Sequence, residues 1–101
     1  MKILVVDNLL LPFHPEQSPG GTERRNLSDS LSFVKQGHTV FLTICGPYKE
    51  KNYQGVHLVN LIQASKEEAP SQIEWRKEVL RRIDLFLSKN SVDVEIGRAH
   101  V

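Results

Sequence analysis

Pro19-Gly20-Gly21-Thr22-Glu23 is the stretch whose residue types and spacing could do chemistry. Two adjacent glycines let backbone amides approach a ligand with no Cβ in the way. A helix opening just behind them adds unpaired N–H groups and the positive end of its dipole. Together these make an anion cradle. Arg24 and Arg25 follow in the first helical turn, where the dipole disfavours cations. That small penalty is easier to understand beside a phosphate or sulfate. The same residues also fit a plainer account, a glycine pair that turns the chain into a helix carrying two solvated arginines. Two better-known phosphate sites fail on spacing. The dinucleotide fingerprint needs G-x-G-x-x-G directly after a strand, and the P-loop needs Gly-Lys-Ser/Thr, whereas Gly21 precedes Thr22 and Glu23.

The remaining reactive types are sparse. His14, His38, His57 and His100 are scattered and form no H-E-x-x-H, so no metal site is expected and no cofactor is called for. His38, directly after Gly37, is expected to close the turn and cap a helix end, where an imidazolium suits the dipole. Cys45 is the single cysteine, which excludes an internal disulfide and a Cys-based zinc cluster. It reads as a small buried hydrophobe in a cytoplasmic chain. Glu23 supports the helix start rather than acting in catalysis. No catalytic residue can be assigned.

The elements that must position the cradle follow from the pattern. In 101 residues, 13 Lys+Arg balance 12 Asp+Glu, which suits one globular domain and gives no basic footprint for nucleic acid or an anionic membrane. The apolar start Ile3-Leu4-Val5-Val6 is cut by Asp7 and Asn8, too short for a signal peptide or a transmembrane segment. Lys2 to Val6 is instead a continuous aliphatic run, as in a strand buried on both faces of a parallel sheet. Leu9 to Gly21, with Pro12, Pro15 and Pro19, is a loop, longer than strand-to-helix connections usually are. Thr22 can cap a helix with Leu27, Leu31 and Val34 at i, i+4 and i+7, ended by Gly37 at C′. Thr39 to Cys45 is a second strand and Val56 to Ile62 a third, joined by a polar loop from Gly46 to Gln54 that carries Tyr48 and Tyr53.

Ser71-Gln72-Ile73-Glu74 has the form of a capping box, so a second helix runs from there to about Lys89. Its apolar face holds Ile73, Val79, Leu80, Ile83, Phe86 and Leu87, with Trp75 at the edge. Ser91 to Ile96 opens a fourth strand. This order argues an α/β fold, a Rossmann-like open and mostly parallel sheet. The connection between the second and third strands is too short for a helical crossover, which leaves their pairing open between antiparallel and parallel.

An aliphatic first strand, a Pro-bearing loop, Gly20-Gly21-Thr22-Glu23 at a helix start, and Gly37-His38-Thr39-Val40 leading into the second strand resemble a known pattern. It is similar to the N-terminal end of GT-B glycosyltransferases, in particular the large retaining group called family four, over Met1 to about Val94. The resemblance implies an incomplete N-terminal domain of a two-domain enzyme that moves a sugar from a nucleotide-sugar donor to an acceptor. It implies that Gly20, Gly21 and Thr22 approach the donor diphosphate. It also implies that the basic residue and carboxylates gripping the donor belong to a missing C-terminal domain, so these residues alone are expected to be inactive.

Such enzymes tend to carry a histidine just beyond the fourth strand, which Ala99-His100 would imitate. However, Glu95 to Val101 can be encoded by GAG ATC GGA AGA GCA CAC GTC, which resembles a sequencing-library adapter followed by a stop codon. On these two resemblances the sequence is expected to divide into residues 1–94, a partial glycosyltransferase domain, and residues 95–101, a non-native tail. A sheet cut at its fourth strand leaves an open edge, from which marginal stability and association are expected. Two other readings compete. Met1 to Asp7 is also similar to receiver domains of response regulators, but Asn8 and Asn60 stand where a receiver needs carboxylates, which leaves no Mg²⁺ site. The other is a small binding module with no chemistry.

Overall fold

The computed structural model describes residues 1–7, 21–46, 49–62 and 72–97. Within them the chain runs β1 (Lys2–Val5), α1 (Gly21–Lys35), β2 (Thr39–Cys45), β3 (Asn52–Tyr53), β4 (Val56–Ile62), α2 (Gln72–Lys89) and β5 (Val94–Ile96). The strands form one five-stranded sheet in the order β3-β4-β2-β1-β5. β1 pairs in parallel with β2 and β5, and β2 in parallel with β4, while β3 alone is antiparallel. The molecule is thus an α/β domain with a mostly parallel sheet, compatible with a Rossmann-like fold.

The uninterrupted apolar strands are buried on both faces because successive side chains point to opposite sides of a strand. Ile3 and Val5 join Val40, Leu42, Ile44, Val56 and Leu58 on the side where Leu27, Leu31, Phe33 and Val34 of α1 pack. Leu4 and Val6 face the other way, joining Cys45, Leu61, Val79 and Ile83, with Phe86 and Leu87 of α2 against them. Leu80, placed on the apolar face of α2 by its spacing, is only half-buried.

Both helix ends differ from or refine the expectation. α1 begins at Gly21, so Thr22 lies inside its first turn rather than capping it. The opening amides of a helix have no intrahelical partner, and a glycine can supply one of them without its own side chain. At the other end Gly37, at φ +90°, donates its amide to the Val34 carbonyl at 3.0 Å. The His38 amide donates to the Phe33 carbonyl at 3.1 Å, and together these bonds form a Schellman cap. The His38 ring meets Phe33 edge-on at 6.5 Å between centroids, and its Nδ1 lies 3.1 Å from the terminal ammonium of Met1. His38 thus closes the turn and caps the helix end as expected, and it does so through its backbone amide.

The pairing left open by the sequence is parallel, and the connecting segment is not wholly loop. Asn52 and Tyr53 form β3, a two-residue strand on the outer side of β4. Gln54 at φ 49° and Gly55 at φ +92° turn the chain between them, both positive as a type I′ hairpin requires. The Asn52 Oδ1 accepts the Gly55 amide at 3.1 Å. A run this short has no readable periodicity, which is why it looked like loop. Tyr53 is half-buried and packs on the α1-side core. Gln54→Gly is expected to stabilise the fold by about 0.5–1 kcal/mol by relieving the left-handed backbone. Gly55→Val is expected to destabilise it, since a Cβ there would sit 2.9 Å from Val34 Cγ1. Urea denaturation of the two variants checks both signs.

On the outer face of α2, Glu78 accepts hydrogen bonds from Arg81 at 2.6 and 3.0 Å and from Arg82 at 2.7 Å. The Arg81 bond first, and Arg82 second, hold its carboxyl down from 4.5 to about 2. A carboxylate lowered by folding contributes stability that is present above its unfolded value and lost as the pH falls through its folded one. The window is therefore about 4.5 down to 2. The cluster is solvated, so its effect on stability is small. A carbon-detected pH titration of Glu78 is expected to show a midpoint near 2, and a midpoint near 4.5 would mean that the arginines do not hold it.

β5 spans the boundary at 94/95. Leu4 pairs with Glu95 and Val5 with Ile96, the Val6 amide donates to the Ile96 carbonyl at 2.7 Å, and Asp93 brackets the other end. There the Asp93 carboxylate accepts the Lys2 amide at 2.7 Å, and the Asp93 amide donates to the Lys2 carbonyl at 2.8 Å. Two residues of the segment assigned by its codons to a tail thus lie in the sheet. Val94 and Ile96 keep more than a third of their surface exposed along this edge.

Candidate functional site

The carboxyl ends of β1 and β2 converge on Asp7, which is fully buried despite its carboxylate. The Asp7 amide donates to Thr43 Oγ1 at 2.9 Å, tying the exit of β1 to β2. Its Oδ1 accepts a hydrogen bond from Asn26 Nδ2 at 2.5 Å, tying the same exit to the second turn of α1. Ser30, one turn further along the helix and also fully buried, donates its Oγ to the Asn26 carbonyl at 2.7 Å. A buried carboxylate is tolerable only when hydrogen-bonded; here Asn26 of α1 bonds the carboxylate, while the Asp7 backbone amide is tied to β2.

That lock fixes where α1 starts. β1 and β2 are parallel neighbours, so the helix joining them runs back along the sheet and opens at its carboxyl edge. Asn26, seated on Asp7, sets the height of that opening. Gly21 and Thr22 are the first two residues of the helix, so their amides are among the unpaired donors of the first turn. Gly20 lies outside the described residues, as do the side chains of Thr22 and Glu23. Arg24 and Arg25 are exposed. The arrangement can hold an anion at the end of β1 by backbone donors and the helix dipole.

At the neighbouring strand ends, Gly46 donates its amide to the Ile62 carbonyl at 2.9 Å and accepts a bond from Asn60 Nδ2 at 2.9 Å. Asn60 thus fixes the backbone after β2. A register shift between Ile44 and Cys45 lets the bonding reach Ile62. Cys45 is buried in the core as its type suggested. His38 lies in the connection between α1 and β2 and His57 on β4, and His14, His100, Tyr48 and Asn8 lie outside the described residues, as does the side chain of Trp75.

Sequence reasoning missed Asn26, Ser30 and Thr43. Asn26, Ser30 and Phe33 repeat the i, i+4, i+7 spacing of Leu27, Leu31 and Val34 one position earlier, which was the available signal. Two of the three are polar, so an apolar stripe does not reveal them. Among the described residues no group of three His, Cys, Asp or Glu could hold a metal ion, and no helix is long and apolar enough to cross a membrane. Set against protein-family models, curated proteins and solved structures, the chain matches none of them.

Proposed function

We propose that this chain is the N-terminal Rossmann-like part of a retaining GT-B glycosyltransferase, and that the first-turn amides of α1 meet the diphosphate of a nucleotide-sugar donor. The observation that carries the reading is the Asp7–Asn26 bond, which holds the opening of α1 at the carboxyl edge of a parallel β1–β2 pair. Ligands of open α/β sheets bind outside this edge. The Gly20-Gly21-Thr22-Glu23 and Gly37-His38-Thr39-Val40 segments add the family resemblance. The chain supplies one wall of a cleft. Sugar transfer needs charge stabilisation from a second domain, so these residues bind weakly and do not turn over.

Two experiments test this. Titrating the isotope-labelled chain with uridine diphosphate or guanosine diphosphate is expected to shift the amides of Gly21, Thr22 and Glu23. Undisturbed amides there at millimolar ligand would remove the diphosphate assignment. Reading the source DNA beyond the codon for Val94 is expected to reveal an in-frame second α/β domain with a basic residue and paired carboxylates. Other codons for Glu95 to Val101, followed by a genuine stop, would leave the small binding module as the better account.

A further inference from the structure

We propose that the recess on the α2 side of the sheet, lined by Phe41, His57 and Phe86 and bordered by Lys49 and Lys51, binds a small molecule consisting of a planar aromatic ring with one anionic group. The recess is about 350 Å³, which lies at the small end of ligand sites and suits one ring system with a substituent.

The three rings form one strip. His57 of β4 stacks on its register partner Phe41 of β2, with centroids 5.2 Å apart and planes 28° apart. Phe86 of α2 meets the same Phe41 edge-on at 5.4 Å. Phe41 and Phe86 are half-buried and His57 is exposed, so the strip runs from the core out to solvent. An offset-stacked or edge-on ring is the partner that such a surface favours.

The charge comes from the segment that enters β3. The Leu58 amide donates to the Lys51 carbonyl at 3.0 Å, which extends the β3–β4 ladder back to Lys51. Lys49 and Lys51 both border the recess, with Glu50 between them. Among the described lining residues, two lysines against one carboxylate leave the polar rim positive, complementary to an anion carried by the ring.

This place is separate from the opening of α1. Phe41 and Phe86 belong to the α2-side core, whereas α1 packs on the opposite face of the sheet. The inference therefore stands or falls independently of the diphosphate assignment.

The test is an amide-resolved titration of the full chain with four probes: adenosine monophosphate, benzoate, adenosine and inorganic phosphate. Adenosine monophosphate or benzoate is expected to shift Phe41, Lys51, His57 and Phe86, the tighter of the two assigning the ring to a nucleotide or to an aromatic acid. Adenosine, which lacks the anion, and phosphate, which lacks the ring, should each bind at least about tenfold more weakly, because each loses one kind of contact. The exposed double variant Lys49→Gln/Lys51→Gln should weaken binding about tenfold with an unchanged melting temperature. His57→Ala should weaken it through the ring contact alone. The proposal is overturned if neither ring-bearing anion shifts these four residues, if phosphate alone binds as tightly, or if both variants bind like the parent chain.

Discussion

Asp7→Ala is expected to destabilise the chain by about 2 kcal/mol, on the order of 10 °C in melting temperature for a domain of this size. Removing the fully buried carboxylate leaves the half-buried side-chain amide of Asn26 without the acceptor it has at 2.5 Å. The Asp7 amide keeps its bond to Thr43 Oγ1, so the loss falls on the link to α1 rather than on the sheet. Asp7→Asn retains an oxygen that can accept from Asn26 and should recover most of the loss. Two readouts separate a local effect from general unfolding. The Asn26 side-chain amide resonances should move in Asp7→Ala under conditions where the core methyl groups of Leu42 and Ile44 do not. If the diphosphate assignment holds, the ligand-induced shifts at Gly21 and Thr22 should shrink as well, because the side-chain tie between the β1 exit and the start of α1 is then lost. A melting temperature within a degree or two of the parent chain would show that Asp7 does not anchor α1.

Gly97→Ala is expected to cost at least about 2 kcal/mol through two causes that add. Gly97 has φ +96°, a left-handed backbone that disfavours any L side chain by roughly 1–2 kcal/mol. A Cβ there would also run into the carbonyl oxygen of Val6. The obstacle is main chain, so no rotamer change relieves it. Val6 donates its own amide to Ile96, and the collision therefore pushes directly on the last bond between β1 and β5. Hydrogen exchange should show the Val6 amide losing protection while the β2–β4 ladder keeps its own. Truncation after Val94 should have the same signature, since it removes Glu95 and Ile96 from their pairing with Leu4 and Val5. Unchanged protection at Val6 in both variants would mean that β5 contributes nothing to holding β1.

Local signals in this chain were read where they were strong. The seven residues of β2 match the β-rich run from Thr39 to Cys45 at both ends, because glycines bound it on either side. The end of α2 at Lys89 followed from helical periodicity, and the end of α1 from the positive φ that Gly37 can adopt. The aliphatic run Ile3-Leu4-Val5 of β1 announced a strand covered on both faces. β3 was missed since two residues carry no period, and the turn that creates it places a glutamine, Gln54, where glycine or asparagine is usual.

By itself, the sequence determined the alternation of strands and helices, the two-faced burial of β1 and β2, the burial of Cys45, and a helix opening beside Gly21. These are properties of neighbouring residues, set by side-chain periodicity and by which residues tolerate which backbone angles. Only the tertiary structure decided that β2 and β4 run parallel, that β5 lies on the far side of β1, and that Asp7 is held by Asn26 and Thr43. Each of these joins residues distant in the chain, and nothing in Asp7's own neighbourhood says what will cover it. A carboxylate at the end of a strand looks the same in sequence whether it meets water or lies buried under a helix, and the packing of α1 on the sheet chooses between the two.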